Sequence, residues 1–130
     1  MSIQLLSISH KVAPISVRSL FAFGEEEQIQ LMLRLKESEV IGEAVVIATC
    51  NRTEVYVYVE DEKNSRKAFE WMQQAVLEAA DAFCVENVQD YIRLYQGERA
   101  VHHLFLVAAV SAPAHGLFLP VLKSGLRQSA

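Results

Sequence analysis

Residues 44–48 are continuously apolar and mostly β-branched, the pattern of a strand covered on both faces. Shortly after, Thr53, Val55, Val57 and Val59 alternate with Glu54, Tyr56, Tyr58 and Glu60, which reads as a half-buried antiparallel strand with its charged and phenolic positions on the second face. The polar turn Thr49-Cys50-Asn51-Arg52 joins the two runs, so one hairpin presents a thiol, an amide and a guanidinium at its tip.

The rest of the chain supplies helices and strands around that hairpin. Residues 3–9 read as a first strand, followed by the loop His10-Lys11-Val12-Ala13-Pro14, where Pro14 stops any continuation. Residues 15–22 fit a short helical turn carrying Val17, Leu20 and Phe21. Gly24 then precedes a helix to about Glu37, with Glu25, Glu26 and Glu27 at its positive end and Ile29, Met32, Leu33 and Leu35 on its buried side. After the hairpin, Asn64 or Ser65 is placed to cap a long helix to about Cys84. Its apolar positions Ala68, Phe69, Met72, Val76, Ala79 and Phe83 keep the 3.6-residue period. Residues 91–96 alternate again as a fourth strand ended by Gly97. Residues 98–110 form a last helix with Val101, Leu104, Phe105 and Ala108 on one stripe and His103 on the opposite side.

Strand, helix, strand, strand, helix, strand and an extra helix is the order of an α+β, ferredoxin-like split βαβ sandwich. The expectation is an antiparallel sheet with helices on one face plus an extra C-terminal helix. Residues 1–110 are one domain; 111–130 lose any period and are expected to be a loosely packed tail. At 130 residues and 52% apolar content the chain has material for one core.

Composition removes several functions. A net charge of −4 argues against a stand-alone nucleic-acid binder, while leaving room for one local basic contact. No apolar run approaches the roughly 18 residues of a membrane helix, and the N-terminus lacks the basic region of a signal peptide. Two cysteines, Cys50 and Cys84, make neither a disulfide scaffold nor a zinc site, so a reduced, cytoplasmic protein is expected. The five glycines never form Gly-x-Gly, the start of a dinucleotide-binding loop, and no Gly-x-Ser-x-Gly nucleophile elbow occurs.

Cys50 leads the chemical candidates, because a thiolate is a strong nucleophile favoured by a nearby cation such as Arg52. Cys50 also fits the role of a small apolar residue at a strand end. Cys84 reads as packing. His103 faces either solvent or a cleft, where it would serve as acid or base. His102 projects about 100° away from it, so the two do not make a metal pair. His10 and Lys11 read as a solvated loop pair.

Three segments together resemble the N-terminal catalytic domain of the glutamyl-tRNA reductases. They are Ser9-His10-Lys11-Val12-Ala13-Pro14-Ile15-Ser16-Val17-Arg18, then Ala48-Thr49-Cys50-Asn51-Arg52-Thr53-Glu54-Val55-Tyr56, and Gly97-Glu98-Arg99-Ala100-Val101-His102-His103-Leu104-Phe105 with the apolar run after it. The resemblance implies an oxidoreductase of tetrapyrrole (haem) synthesis. Cys50 would attack the ester of glutamyl-tRNA, release the tRNA and hold a glutamyl thioester, which NADPH would reduce to glutamate 1-semialdehyde. Thr49, Cys50, Asn51 and Arg52 would bind the glutamyl group, with Arg52 on its carboxylate, and His103 would move a proton or activate the ester. Glutamate-1-semialdehyde aminomutase is the implied partner. The resemblance stops near residue 110, where Val110-Ser111-Ala112-Pro113 replaces the family's Gly-Leu-Asp-Ser. The expectation is a truncated form without the family's NADPH-binding domain or dimerising helix, itself binding no cofactor. A non-catalytic regulatory or interaction module, or an inactive remnant, is the alternative.

Overall fold

The computed structural model describes residues 2–9, 13–49 and 52–111, and for Ser9 and residues 107–111 only the backbone. The expected tail therefore lies, from residue 112 onward, outside the described residues, as do His10, Lys11 and Val12.

Strands β1 (Ser2–Ser9), β2 (Glu43–Ala48), β3 (Arg52–Val59) and β4 (Arg93–Gln96) form one antiparallel sheet in the order β2-β3-β1-β4. The two long helices, α2 (Glu25–Lys36) and α3 (Ser65–Ala80), connect β1 to β2 and β3 to β4. This is the split βαβ arrangement expected from the order of elements. Leu6 and Ile8 of β1, Val46 of β2 and Val55, Val57 and Val59 of β3 pack beneath these helices in the main core. The alternation along β3 puts these valines on a single face.

A strap from Ala13 to Phe23 closes one end of that core. Pro14 begins α1 (Ile15–Arg18), its carbonyl accepting from the N–H groups of Val17 and Arg18 at 3.0 Å each. A 3₁₀ turn, Ser19–Phe21, follows. Val17 and Phe21 turn inward and Leu20 stays exposed. Thr53 Oγ1 donates to the Phe21 carbonyl at 2.6 Å, which ties the strap to the start of β3.

Helix α2 differs from its expected face. Leu31 and Leu35 are buried and Met32 is partly so, whereas Ile29 is 50% and Leu33 64% exposed. Two side contacts set this rotation: Gln28 Nε2 donates to the Phe23 carbonyl at 2.9 Å, and the Arg34 guanidinium lies over the Trp71 ring of α3. Helix α3 stops earlier than the expected Cys84. Asp81 adopts a left-handed φ of 51°, and the Ala82 N–H closes back on the Leu77 carbonyl at 3.0 Å. Phe83 and Cys84 consequently lie past the helix and are exposed, where the periodic pattern and the packing assignment put them inside. Asn64 makes no side-chain cap, and Ser65 Oγ instead donates to the Glu62 carbonyl at 2.7 Å. Because an aspartate in the left-handed region carries a strain that glycine does not, Asp81→Gly is expected to raise unfolding free energy by about 0.5 to 1 kcal/mol. Chemical denaturation reads the change, and a loss of stability would contradict it.

The second face of the sheet is covered, not solvated. Gly97 takes a left-handed φ of 69° and its N–H donates to the Ile3 carbonyl at 2.8 Å. That turn, open to glycine at no steric cost, folds α4 (Glu98–Ser111) back across the sheet. Leu5, Ile47, Tyr56 and Ala100 form a small second core there, with Leu104 and Tyr95 against it. The face carrying Glu54 and Tyr56 is thus buried, which corrects the half-buried reading of β3. The inward stripe of α4 is Ala100, His103 and Leu104, and Phe105 is exposed. His103 therefore points at the sheet, not away from it. Among the described residues, no helix is long and apolar enough to cross a membrane.

Candidate functional site

The Thr49 N–H donates to the Arg52 carbonyl at 2.9 Å, and Thr49 Oγ1 accepts from the Arg52 N–H at 3.3 Å. These bonds clamp the two ends of the turn. Cys50 and Asn51, between them, lie outside the described residues.

Arg52 is the first residue of β3, and Glu54 is two residues further along the same face. Arg52 Nη1 lies 3.6 Å from Glu54 Oε1. His103 Nε2, arriving from α4, lies 2.7 Å from the same oxygen. The His103 ring stacks on Tyr95 of β4, with centroids 5.4 Å apart and planes 18° from parallel. Glu54 has no solvent exposure, while the side chains of Arg52 and His103 keep 24% and 26%. A buried carboxylate is costly unless charged or hydrogen-bonding partners surround it. Here a guanidinium and an imidazole converge on it from different elements, and both remain reachable from outside. Neighbouring Tyr56 is held in its protonated form: burial first, and the negative charge of Glu54 second, push its phenol far above the usual range. Its hydroxyl has no hydrogen-bond partner among the described residues.

On the other side of Arg52 a cleft of about 170 Å³ opens between the strap and the hairpin. Arg18, Ser19, Thr49, Arg52 and Thr53 line it, with Ile8 and Ile15. Arg18 is anchored by its Nε, which donates to the Ala13 carbonyl at 3.1 Å. Pockets that enclose drug-sized ligands run from roughly 300 to 1,000 Å³. This cleft is therefore scaled to a side-chain-sized group, and its two guanidiniums suit an anion. Among the described residues, no cluster of three or more His, Cys, Asp and Glu side chains is placed to hold a metal ion.

Of the five site residues read from the sequence, the structure thus places Thr49, Arg52 and His103. It joins Arg52 to Thr49 through the turn and to His103 through Glu54. The sequence reading missed Glu54, Tyr95 and Arg18. A glutamate in the central strand, beside residues with no cationic partner across the sheet, was the available signal for the first. Its neighbours in the sheet are Ser7 of β1 and Ile47 of β2, neither of them a charge partner, so a cation or imidazole had to come from above.

Comparison with known proteins agrees across sequence and fold. Residues 6–110 match the family profile described as "Glutamyl-tRNAGlu reductase, N-terminal domain". A glutamyl-tRNA reductase of Geobacillus thermodenitrificans is 39% identical over 114 residues, covering 84% of this chain and 23% of the relative. One from an Exiguobacterium species is 33% identical over 109 residues, with the same two coverages of 84% and 23%. The chain therefore spans about a quarter of the length of these relatives. In fold it is similar to the solved glutamyl-tRNA reductase from Methanopyrus kandleri, with a TM-score of 0.52 at 22% identity over 82% of this chain and 22% of that one.

Proposed function

The chain belongs to the glutamyl-tRNA reductase N-terminal domain family, and from that premise we propose that it carries the acyl-transfer step of that reaction on Cys50. The thiol loses its proton and Sγ attacks the ester carbonyl of glutamyl-tRNA. The new C–S bond forms as the bond to the ribose oxygen breaks, and that oxygen leaves with a proton. The products are a glutamyl thioester on Cys50 and free tRNA. His103 is the group that takes the thiol proton and returns one to the ribose oxygen. Arg52, with Arg18 across the cleft, receives the side-chain carboxylate of the glutamyl group. Thr49 lines the same pocket, and Asn51 is assigned to the glutamyl group with it.

The observation that supports this most is the shared contact of Arg52 and His103 on Glu54 Oε1, two residues along the chain from the thiol's hairpin tip. It brings a cation and a proton carrier together on the strand that follows the thiol-bearing turn, the two functions that thiol acylation needs. The overall charge of −4 fits contact with the aminoacyl end of a tRNA, not with its whole backbone. A free thiol also suits a reducing, cytoplasmic setting. The proposed step ends at the thioester.

Incubation with radiolabelled glutamyl-tRNA tests it. The expected result is label on the protein, released by hydroxylamine, with matching release of free tRNA. No label, together with an ester lifetime equal to that in buffer, would overturn it.

A further inference from the structure

Glu54 enters none of the roles assigned above, yet it is the most deeply buried charged group of the site. Its Oε1 meets two partners unequally. Arg52 Nη1 at 3.6 Å is within ion-pair range but beyond a good hydrogen bond, whereas His103 Nε2 at 2.7 Å is a short, charge-assisted one. Where the carboxylate is ionised it only accepts, and the contact then assigns the proton to Nε2 as donor. In the neutral imidazole the lone pair then belongs to Nδ1. The stacked Tyr95 ring holds the plane of the imidazole, and the Glu54 bond fixes its rotation within that plane.

We propose that Glu54 is the positioning residue of His103, holding the ring in its Nε2–H form so that Nδ1 is the atom that accepts and returns the proton. This rests on the acyl-transfer reading for its catalytic consequence, but the tautomer itself does not. The balance of the step is simple. Nδ1 takes the thiol proton as the C–S bond forms, and the imidazolium then donates from Nδ1 as the ribose oxygen departs, while Nε2–H stays on Glu54 throughout. The carboxylate stabilises the imidazolium between the two transfers and is never protonated. A base oriented by a buried third group is a recurring device for nucleophile activation. Here the third group is on a strand and the base on a helix, and the contact spans 49 residues of sequence.

Nitrogen-15 NMR of the full chain, labelled at its four histidines, decides the structural half. The expected spectrum shows an exchange-protected Nε2–H proton on His103 and none on exposed His102. Absence of that proton in the unaltered chain overturns the proposal without any variant. Glu54→Gln, which keeps the shape and loses the charge, is expected to remove the protection and mix the tautomers. It is also expected to slow transfer of label from glutamyl-tRNA by about tenfold or more. A folded Glu54→Gln chain that keeps the protected proton, or labels at the unaltered rate, overturns it. If the unaltered chain acquires no label at all, the acyl-transfer reading fails. The spectra then still test the tautomer, and the catalytic role given to Glu54 falls with that reading.

Discussion

Cys50→Ser is expected to release tRNA from glutamyl-tRNA no faster than buffer does, and to acquire no hydroxylamine-sensitive label. The change replaces one atom, yet it alters the reaction at its first bond. A thiol near neutral pH ionises in part, and next to a guanidinium more so. A serine hydroxyl needs a base to remove its proton during the attack itself. His103, oriented for a thiol, is not expected to make up that difference. A loss of at least about a thousandfold corresponds to roughly 4 kcal/mol of barrier. The substitution sits in a turn clamped by the Thr49–Arg52 bonds, so thermal unfolding should be unchanged. Turnover within about tenfold of the unaltered chain would leave the sulfur without its role.

The second large effect concerns stability. Phe21→Ala is expected to lower unfolding free energy by about 3 to 5 kcal/mol. Phe21 is completely buried and meets Phe23 edge to face, with centroids 6.5 Å apart. Truncation removes the transfer energy of a whole ring and leaves a cavity that the surrounding strap and sheet only partly refill. For a domain of this size, whose net stability is of the order of 5 to 15 kcal/mol, that is a large share. The loss would reach the site, since the same strap carries Arg18 and Ser19 into the cleft and is tied to β3 through Thr53. A denaturant midpoint, read with and without the substitution, measures it. A cost below about 1 kcal/mol would mean that Phe21 does not fill the end of the core.

The order of the elements was legible because each has its own hydrophobic period, and the ferredoxin-like sheet follows from that order. The hairpin was legible for the same reason, and with it the placement of Thr49 and Arg52. Glu54 was not. Its strand alternates polar with apolar, and alternation reports chemical character, not what lies above a face. Only the return of α4 over the sheet turns a polar face into an interior one. The last helix misled for a related reason. Val101, Leu104, Phe105 and Ala108 make an acceptable stripe, but so do Ala100, His103 and Leu104, rotated by about 100° per residue. The small Ala100 lets the helix approach the sheet, and the Glu54–His103 bond selects the second stripe. Helix α2 was misjudged where Ile29 and Leu33, apolar yet exposed, outnumbered the one missing core residue, Leu31. Nothing local marked Asp81 as a helix terminator, since its left-handed backbone is common only for glycine and asparagine. The assignment of Cys50 and Asn51 concerns residues outside those described.

The turn at Gly97 has a bearing on synthesis as well as shape. Translation delivers the thiol-bearing hairpin before the imidazole-bearing helix α4. On the acyl-transfer proposal, a growing polypeptide owns a sulfur before it owns the partner to move its proton. Acylation competence then follows the swing of α4 over the sheet on its glycine pivot, and a nascent chain that has emerged only as far as the hairpin is not yet expected to capture charged tRNA.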